Sequence, residues 1–290
     1  MRMLVRGTWI AIAVAACGSE DAGAPPLAEV PGTLQHLAVN DTSLFAIDAR
    51  DSSLVELGLD GALIGKLPTR GAVSEVVAYG DWVAWIEAEG SGQIIRRRRN
   101  GMLESMRPIT PHIAASAEGL FYSDTGLIAS WPWEGVPARI ATPAPGAALI
   151  AVDPSYAYTR AMDKQLVRYT RMADASETLL SDATGVSLQD GQLAYRAPEG
   201  VRLRDLFTTF DRVVGAPPAD YACELLIAGR AVMCGKYRLM DGMADELLAD
   251  PVGGYASRGK DVYWVTTRPG AEPVSELRRA DAEAPPEMMK

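Results

Sequence analysis

The sequence predicts an all-β protein, a seven-bladed β-propeller with four antiparallel strands in each blade. The first observation is a repeat whose starting positions lie 39, 37, 36, 37, 38 and 31 residues apart. The repeated unit is an apolar and aromatic tetrad: Leu44–Ile47, Val83–Ile86, Leu120–Ser123, Tyr156–Thr159, Leu193–Arg196, Ala231–Cys234 and Val262–Val265. A period in this range is typical of repeat architectures. The second observation is that turn residues separate short strand-like runs within each unit, and no long stretch has helical periodicity.

The innermost strands are predicted from small and aliphatic runs, because strands near a central axis are crowded. They are Leu37–Val39, Val76–Ala78, Ile113–Ala115, Leu149–Val152, Val186–Leu188, Leu225–Ile227 and Tyr255–Ala256. A tight turn follows each run, and the tetrad then forms the second strand. Five tetrads have an aromatic third residue, which suits sheets packed face to face around a ring: Trp85, Tyr122, Tyr158, Tyr195 and Trp264.

The third and fourth strands are more polar. Third strands are predicted at Leu54–Leu57, Ile94–Arg97, Leu166–Tyr169, Val201–Arg204 and Glu276–Arg279. Fourth strands are predicted at Leu63–Gly65, Ala138–Ile140, Glu177–Leu180 and Glu246–Leu248. The stretch Asp205–Phe210 fits the pattern least. Six or eight blades remain open, because the last two units are compressed and the fifth is irregular. Two β-sandwiches are the other alternative, which the regular period disfavours.

The segment Leu27–Gly32 resembles the end of a repeat, yet it precedes the first inner strand. It is therefore expected to supply the outer strand of the last blade and to pair near Glu276–Ala280. This pairing would close the ring without an unpaired seam. The tail Pro285–Lys290 is the rival for that place.

The N-terminus predicts export. Arg2 and Arg6 precede the apolar run Thr8–Ala16, which is too short to span a bilayer, so residues 1–16 are interpreted as a signal peptide. Val14-Ala15-Ala16-Cys17 resembles the lipobox of bacterial lipoproteins, which implies that Cys17 is acylated and becomes the mature N-terminus. Residues 17–26 would be a flexible tether, and residues 27–290 a single propeller domain. The alternative is an ordinary signal peptide and a free Cys17.

Two strands carry a second resemblance. Phe121–Asp124 and Val262–Thr266 resemble the tyrosine-tryptophan-threonine-aspartate signature of secreted propellers, and the repeats are similar to those of uncharacterised bacterial propeller lipoproteins. This resemblance implies the fold and an exported protein, but not a ligand.

Composition and motifs limit the chemistry. Lys and Arg number 28 against 37 Asp and Glu, a net charge of -9, which argues against a nucleic-acid partner. His36 and His112 are the two histidines; both lack ligand spacing around them and are interpreted as loop or rim residues. The sequence has no Gly-x-Ser-x-Gly elbow, phosphate loop or dinucleotide fingerprint. No catalytic residue, metal ligand or cofactor is therefore predicted.

Arg96–Arg99 and two cysteines are the remaining features of note. The arginine run is interpreted as a solvated outer strand, with a basic docking patch as the alternative. Cys223 and Cys234 would lie directly opposite each other if their hairpin were centred between Ala228 and Gly229. An exported protein meets oxidising conditions, so a disulfide is predicted; two buried free thiols are the alternative.

The predicted function is a lipid-anchored extracytoplasmic binding module whose partner is a protein or envelope component. The alternative is a hydrolase or lyase that uses a divalent cation at the mouth of the central channel. The loops after the second strands form a mixed-charge rim. There Arg160, Arg196 and Arg268 occupy near-equivalent positions and could converge on an anionic partner.

Overall fold

A computed structural model describes residues 26–285, apart from residues 109–111, 125, 144–147, 162, 172, 174, 183–184, 190, 209, 219–220, 222, 248–253, 269 and 271, and apart from the side chains of residues 124 and 138–143. The predicted signal peptide, Cys17 and residues 18–25 of the predicted tether lie outside the described residues, as do residues 286–290. Every regular element in the described part is a β-strand. No helix among these residues has the length and apolar character that a membrane span requires.

Seven four-stranded antiparallel sheets form the blades, which confirms the predicted seven-bladed propeller over six blades, eight blades or two sandwiches. Blade 1 contains β2 (Leu34–Val39), β3 (Ser43–Asp48), β4 (Ser53–Gly58) and β5 (Leu63–Lys66). Blade 2 contains β6 (Val73–Tyr79), β7 (Trp82–Glu89), β8 (Gly92–Arg99) and β9 (Met102–Met106). Blade 3 contains β10 (Ile113–Ser116), β11 (Gly119–Asp124), β12 (Leu127–Pro132) and β13 (Ala138–Pro143).

The remaining blades repeat this order. Blade 4 contains β14 (Ala148–Val152), β15 (Tyr156–Arg160), β16 (Leu166–Thr170) and β17 (Ser176–Leu180). Blade 5 contains β18 (Val186–Gln189), β19 (Gln192–Ala197), β20 (Gly200–Asp205) and β21 (Asp211–Gly215). Blade 6 contains β22 (Leu225–Ala228), β23 (Ala231–Cys234), β24 (Tyr237–Met240) and β25 (Met243–Glu246). Blade 7 contains β26 (Tyr255–Arg258), β27 (Asp261–Arg268), β28 (Val274–Asp281) and, from the N-terminus, β1 (Ala28–Pro31).

The N-terminal strand closes the ring, as predicted. β1 is the outer strand of blade 7 and pairs antiparallel with β28, from Ala28 opposite Leu277 to Pro31 opposite Val274. The pairing is slightly earlier on β28 than the expected Glu276–Ala280. Ser275 also joins the seam, because its hydroxyl accepts a hydrogen bond from the Leu34 amide and donates one to the Gly32 carbonyl.

The core lies between neighbouring blades. The second strands are its centre, and the tetrad residues Trp85, Tyr158 and Tyr263 are almost fully buried. One cluster joins blades 2 and 3 and includes Trp82, Ile95, Leu120 and Trp131. Burying an aliphatic or aromatic side chain of this size contributes roughly 1.5–3 kcal/mol, so each interface depends on one apolar face from each sheet.

Two details of blade 6 differ from the sequence predictions. The hairpin pairs Leu225 with Cys234 and Ala228 with Ala231, so its turn is Gly229–Arg230 and its centre lies one residue later than expected. Gly229 adopts a φ of 59°, which glycine tolerates and which lets it begin the turn. The fourth strand, β25, is Met243–Glu246 rather than Glu246–Leu248, because the Asp241–Gly242 turn is immediately followed by pairing.

The arginine run is not the solvated outer strand that the sequence predicted, because β8 is a third strand covered by β9. Arg96 and Arg97 are buried, at 5% and 0% exposure. Arg96 pairs with Glu87 at 2.5 Å, and Arg97 with Glu104 at 2.5 Å. Arg98 pairs with Glu56 and Arg99 with Asp81. Each of the four arginines forms an ion pair within the propeller, so they do not form a basic docking patch either.

Candidate functional site

A cavity of about 770 Å³ opens at the end of the central channel where the inner strands finish and their hairpin turns begin. All seven blades contribute to it. Polar and charged residues such as Asp153 and Gln189 form part of the wall. The rest of the wall consists of small and aliphatic residues, which include Ala38, Val76, Ala114, Ile150, Leu226 and Ala256. Their size follows from crowding, because seven inner strands must approach one axis. We call this end of the propeller the inner-hairpin face.

An ion pair lies at the mouth of this cavity. Arg258, at the end of β26, approaches Asp41, in the first turn of blade 1, with 3.5 Å between Nε and Oδ1. The side chains are 43% and 67% exposed, respectively. A pair this open is weak, and both groups remain accessible to a second molecule.

Two further polar contacts line the cavity. The Ser257 hydroxyl lies 2.6 Å from the Ile227 carbonyl oxygen and 3.0 Å from the Gln189 side chain, which connects blades 5, 6 and 7. The Tyr158 hydroxyl donates a 2.6 Å hydrogen bond to Asp153. Burial, and then this carboxylate, raise the pKa of Tyr158 well above its ordinary value, so the phenol stays protonated. These inner polar groups are therefore held by partners within the propeller, unlike the open ion pair at the mouth.

Phe207 is an exposed aromatic residue at the same mouth. It follows β20, in a turn in which the amides of Phe207 and Thr208 both donate to the Asp205 carboxylate at 2.8 Å. The ring covers Gly191, in the first turn of blade 5, where a Cβ atom would lie 2.1 Å from it. Phe207 is nevertheless 69% exposed. Sequence reasoning missed this residue; the available signal was that Asp205–Phe210 fitted the strand pattern least.

Phe210 provides a contrast within the same loop. Its side chain is 64% exposed, almost as much as that of Phe207. Phe207 is among the residues that line the cavity, and Phe210 is not. The two phenylalanines therefore separate the effect of a surface aromatic residue from that of its position at the mouth.

The three arginines that the sequence singled out lie at the opposite end of the sheets, at or near the ends of their second strands. Arg160 is exposed. Arg196 donates to the Tyr221 carbonyl at 2.9 Å and contacts the Cys223 sulfur at 2.7 Å. Arg268 pairs with Glu29 of β1 and, at 2.5 Å, with Glu276. Two of the three therefore have partners within the propeller, and convergence of all three on one ligand stays a prediction.

The histidines also lie near the starts of inner strands. His36 is an exposed residue of β2 with a φ of 53°. His112 is 54% exposed, and its Nδ1 atom lies 3.7 Å from Glu75 Oε2. Burial raises the pKa of Glu75 to about 7, although the Ile113 amide donates to its carboxylate and opposes the shift. Within the described part of the chain, no three His, Cys, Asp or Glu residues are grouped to hold a metal ion.

Cys223 and Cys234 form the predicted disulfide, with 5.2 Å between their Cα atoms. They are not partners in the hairpin as expected, since Cys234 pairs with Leu225. Cys223 instead precedes β22, so the bond ties the connection between blades 5 and 6 to the end of β23. Arg196 reaches this bond from blade 5, and its Nη2 atom lies 3.5 Å from the Cys234 sulfur as well.

Solved structures of other β-propellers are similar to this chain. A streptogramin B lyase matches 86% of this chain and 94% of its own, with a TM-score of 0.60 at 12% identity. PorZ, a surface component of the type IX secretion system of Porphyromonas gingivalis, matches 89% of this chain and 39% of its own, with a TM-score of 0.59 at 11% identity. A chain of the mitotic checkpoint complex matches 97% and 99%, with a TM-score of 0.60 at 11% identity.

These likenesses show the fold alone, since propellers of one shape have many functions. No protein-family model matches the sequence. No curated protein matches it either. The resemblance to secreted propellers and to lipoproteins therefore stays a prediction from the sequence.

Proposed function

We propose that this chain is an exported, lipid-anchored propeller that acts as a binding module and holds its partner at the mouth of the central cavity. The observation that carries the proposal is the cavity of about 770 Å³ on the inner-hairpin face, with Phe207 exposed at its edge. Ligand sites are typically concave, about 300–1,000 Å³ in volume, and mostly apolar with a few fixed polar groups. The cavity is concave and lies within this range of volume, and its lining combines aliphatic residues with polar and charged ones.

The chemistry of the mouth favours a protein segment as the occupant. Aromatic side chains are enriched at protein interfaces because they bury a large apolar area at little cost in conformational entropy. Phe207 offers such a surface on blade 5, and the open pair Asp41–Arg258, on blades 1 and 7, offers one charge of each sign at the same mouth. A partner loop that inserts an apolar side chain, flanked by charged residues, would use both. The neighbours that belong to protein assemblies provide a precedent on this fold.

Export and anchoring are supported by the N-terminal sequence, in which Arg2, Arg6, the apolar run and Cys17 stand in the order of a lipoprotein signal. The Cys223–Cys234 disulfide agrees with this address, since such bonds persist in oxidising compartments. Mass spectrometry of the membrane-extracted protein should find an acylated N-terminus at Cys17. An unmodified N-terminus at another residue would refute the lipid anchor but would not bear on the proposed binding site.

The test of the binding site uses the two phenylalanines of one loop. The lipidated protein would be used to capture its partner from its own envelope, and the purified partner's affinity would then be measured for each variant. Phe207→Ala should weaken binding about tenfold or more, the loss expected of an interface anchor. Phe210→Ala is the matched control and should change affinity less than twofold.

A third variant tests the opposite face. Arg160→Ala removes the exposed arginine of the rim without breaking an internal contact that the structure describes, unlike changes at Arg196 or Arg268. Full loss of binding in Arg160→Ala, together with no effect of Phe207→Ala, would move the site to that rim.

The alternative function, a hydrolase or lyase that uses a divalent cation, stays a prediction from the sequence. Among the described residues, no group of three potential metal ligands supports it.

A further inference from the structure

We propose that the Cys223–Cys234 disulfide is a thiol–disulfide exchange site that Arg196 makes reducible by an external dithiol protein or small dithiol. A disulfide sulfur is a weak, neutral hydrogen-bond acceptor, whereas the thiolate produced by reduction is an anion. The Arg196 guanidinium lies 2.7 Å from one sulfur and 3.5 Å from the other. Its charge therefore stabilises the reduced state more than the oxidised one.

The contact is held in place independently of the sulfurs. Arg196 Nη2 also donates to the Tyr221 carbonyl at 2.9 Å, and Tyr221 packs edge-on against Tyr237 with 5.0 Å between ring centroids. Arg196 comes from blade 5, and the cysteines lie before and within blade 6. Because two blades fix the guanidinium and the disulfide relative to each other, the cation is positioned before any thiolate forms.

Exposure decides which sulfur is attacked. Cys234 is fully buried, whereas Cys223 is half-buried next to the exposed Glu224. A thiolate of the dithiol attacks the Cys223 sulfur, the disulfide breaks, and Cys234 leaves as a thiolate beside Arg196. The second thiol of the reductant then attacks the reductant's own sulfur in the mixed disulfide. Cys223 is released as a thiolate 2.7 Å from Arg196, and the reductant becomes a disulfide, so two electrons pass to the protein.

The test measures the reduction equilibrium in the full chain carrying Cys17→Ser, so that Cys223 and Cys234 are its two cysteines. Protein equilibrated in glutathione buffers of known ratio would be trapped with an alkylating reagent and its free thiols counted by mass. Arg196→Gln should lower the equilibrium constant for reduction about tenfold, a midpoint lower by about 30 mV. Arg160→Gln, at the corresponding position of the preceding blade, should leave the midpoint unchanged.

A merely structural role for Arg196 predicts a different result, because loss of packing would lower the free energy of unfolding without moving the redox midpoint. Arg196→Lys keeps the positive charge and should lie between wild type and Arg196→Gln. An unchanged midpoint in folded Arg196→Gln overturns the proposal.

If Arg196→Gln does not fold, the test uses the reduced Cys17→Ser chain with Arg196 intact. The alkylation rate of this chain should increase with pH, and the midpoint of the increase should lie clearly below about 8.5, the ordinary pKa of a thiol. A midpoint at or above that value also overturns the proposal.

Discussion

The interface between blades 2 and 3 and the interface between blades 6 and 7 contain the same arrangement of a buried arginine. Arg97 donates from Nε and Nη2 to a single oxygen of Glu104 on the next strand, Oε2, at 2.8 and 2.5 Å. Arg238 donates from the same two nitrogens to both carboxylate oxygens of Asp245, at 2.9 and 2.5 Å. Each arginine also donates from Nη1 to carbonyl oxygens of the following blade, Trp131 and Pro132 in one case, Ala282 and Ala284 in the other.

The two interfaces differ in what surrounds the guanidinium. Arg97 lies over the rings of Trp82 and Trp131, at 4.9 and 4.0 Å from their centroids, and Trp82 stacks on Trp133. The core between blades 6 and 7 combines Ala228, Ala231 and Val262 with Met233 and Trp264. Among the described residues, no aromatic ring lies over Arg238. A carboxylate of the next strand and carbonyl oxygens of the following blade are therefore sufficient to bury a charged arginine between blades. The aromatic rings are an addition specific to one interface.

The largest effect is expected from Arg97→Ala. The change removes the ion pair with Glu104, leaves carbonyl oxygens of blade 3 without their donor, and opens a space between tryptophans. Glu104 is 44% exposed and becomes solvated, so the loss comes from the unpaired carbonyl oxygens and from the space left by a fully buried side chain. The free energy of unfolding measured in urea should fall by about 3–5 kcal/mol. Arg98→Ala, one residue along and 33% exposed, is the control and should cost less than about 1 kcal/mol.

Arg238→Ala should come next, with a loss of about 3 kcal/mol, because it leaves the carbonyl oxygens of Ala282 and Ala284 unpaired and removes a fully buried side chain. The difference from Arg97→Ala should be about 1–2 kcal/mol, the contribution of a desolvated cation–π contact. An Arg238→Ala variant less stable than Arg97→Ala would show that the aromatic rings do not account for the contrast.

The aromatic contribution can be isolated by a double-mutant cycle between Arg97 and Trp131. The substitutions Arg97→Met and Trp131→Leu, alone and together, should give a coupling energy of about 1–2 kcal/mol, as expected for a buried cation over an indole ring. Additive losses would mean that Trp131 acts only by filling space.

The smallest expected effect is on the pH dependence of stability. The interface between blades 2 and 3 also contains a carboxylate at its inner end, that of Glu75. Glu75 accepts the Ile113 amide, and Ser187 accepts the corresponding Ile227 amide between blades 5 and 6. Burial raises the pKa of Glu75 from an ordinary 4.5 to about 7. A raised carboxyl pKa means that the folded state holds the proton more tightly, so the stability due to this group is complete below pH 4.5 and is lost as pH rises through 7.

Glu75→Gln should therefore remove this pH-dependent loss of stability. The stability of the variant relative to wild type, measured as the midpoint of urea unfolding, should increase from pH 4.5 to pH 8. Ser187→Ala is the matched control. It loses an equivalent hydrogen bond, about 1 kcal/mol, and its difference from wild type should be constant over the same range. A pH-independent effect of Glu75→Gln would contradict the assignment.

Much of the fold could be predicted from the chain alone because its information is local. The period of the tetrads gave the number of blades, and the turn pairs gave the order of strands, since a tight hairpin forces neighbouring segments to pair. The closing strand was also predictable, because Ala28–Pro31 lies in an extended segment with no blade of its own. One residue of turn placement was enough to misplace the register of the blade 6 hairpin, because hairpin partners follow directly from the turn.

What only the tertiary structure decided depends on which surfaces meet. Arg97 reads as a solvated charge in sequence, yet a neighbouring blade supplies carbonyl oxygens and tryptophan rings that no local pattern encodes. Arg196 resembled Arg160 and Arg268 by position, but the connection between blades 5 and 6 places a disulfide against it. Phe207 lay in the least regular stretch, and the cavity beside it is made by seven strands far apart in the chain. The strands therefore follow from local periodicity, whereas burial and cavities arise when distant segments close around one axis.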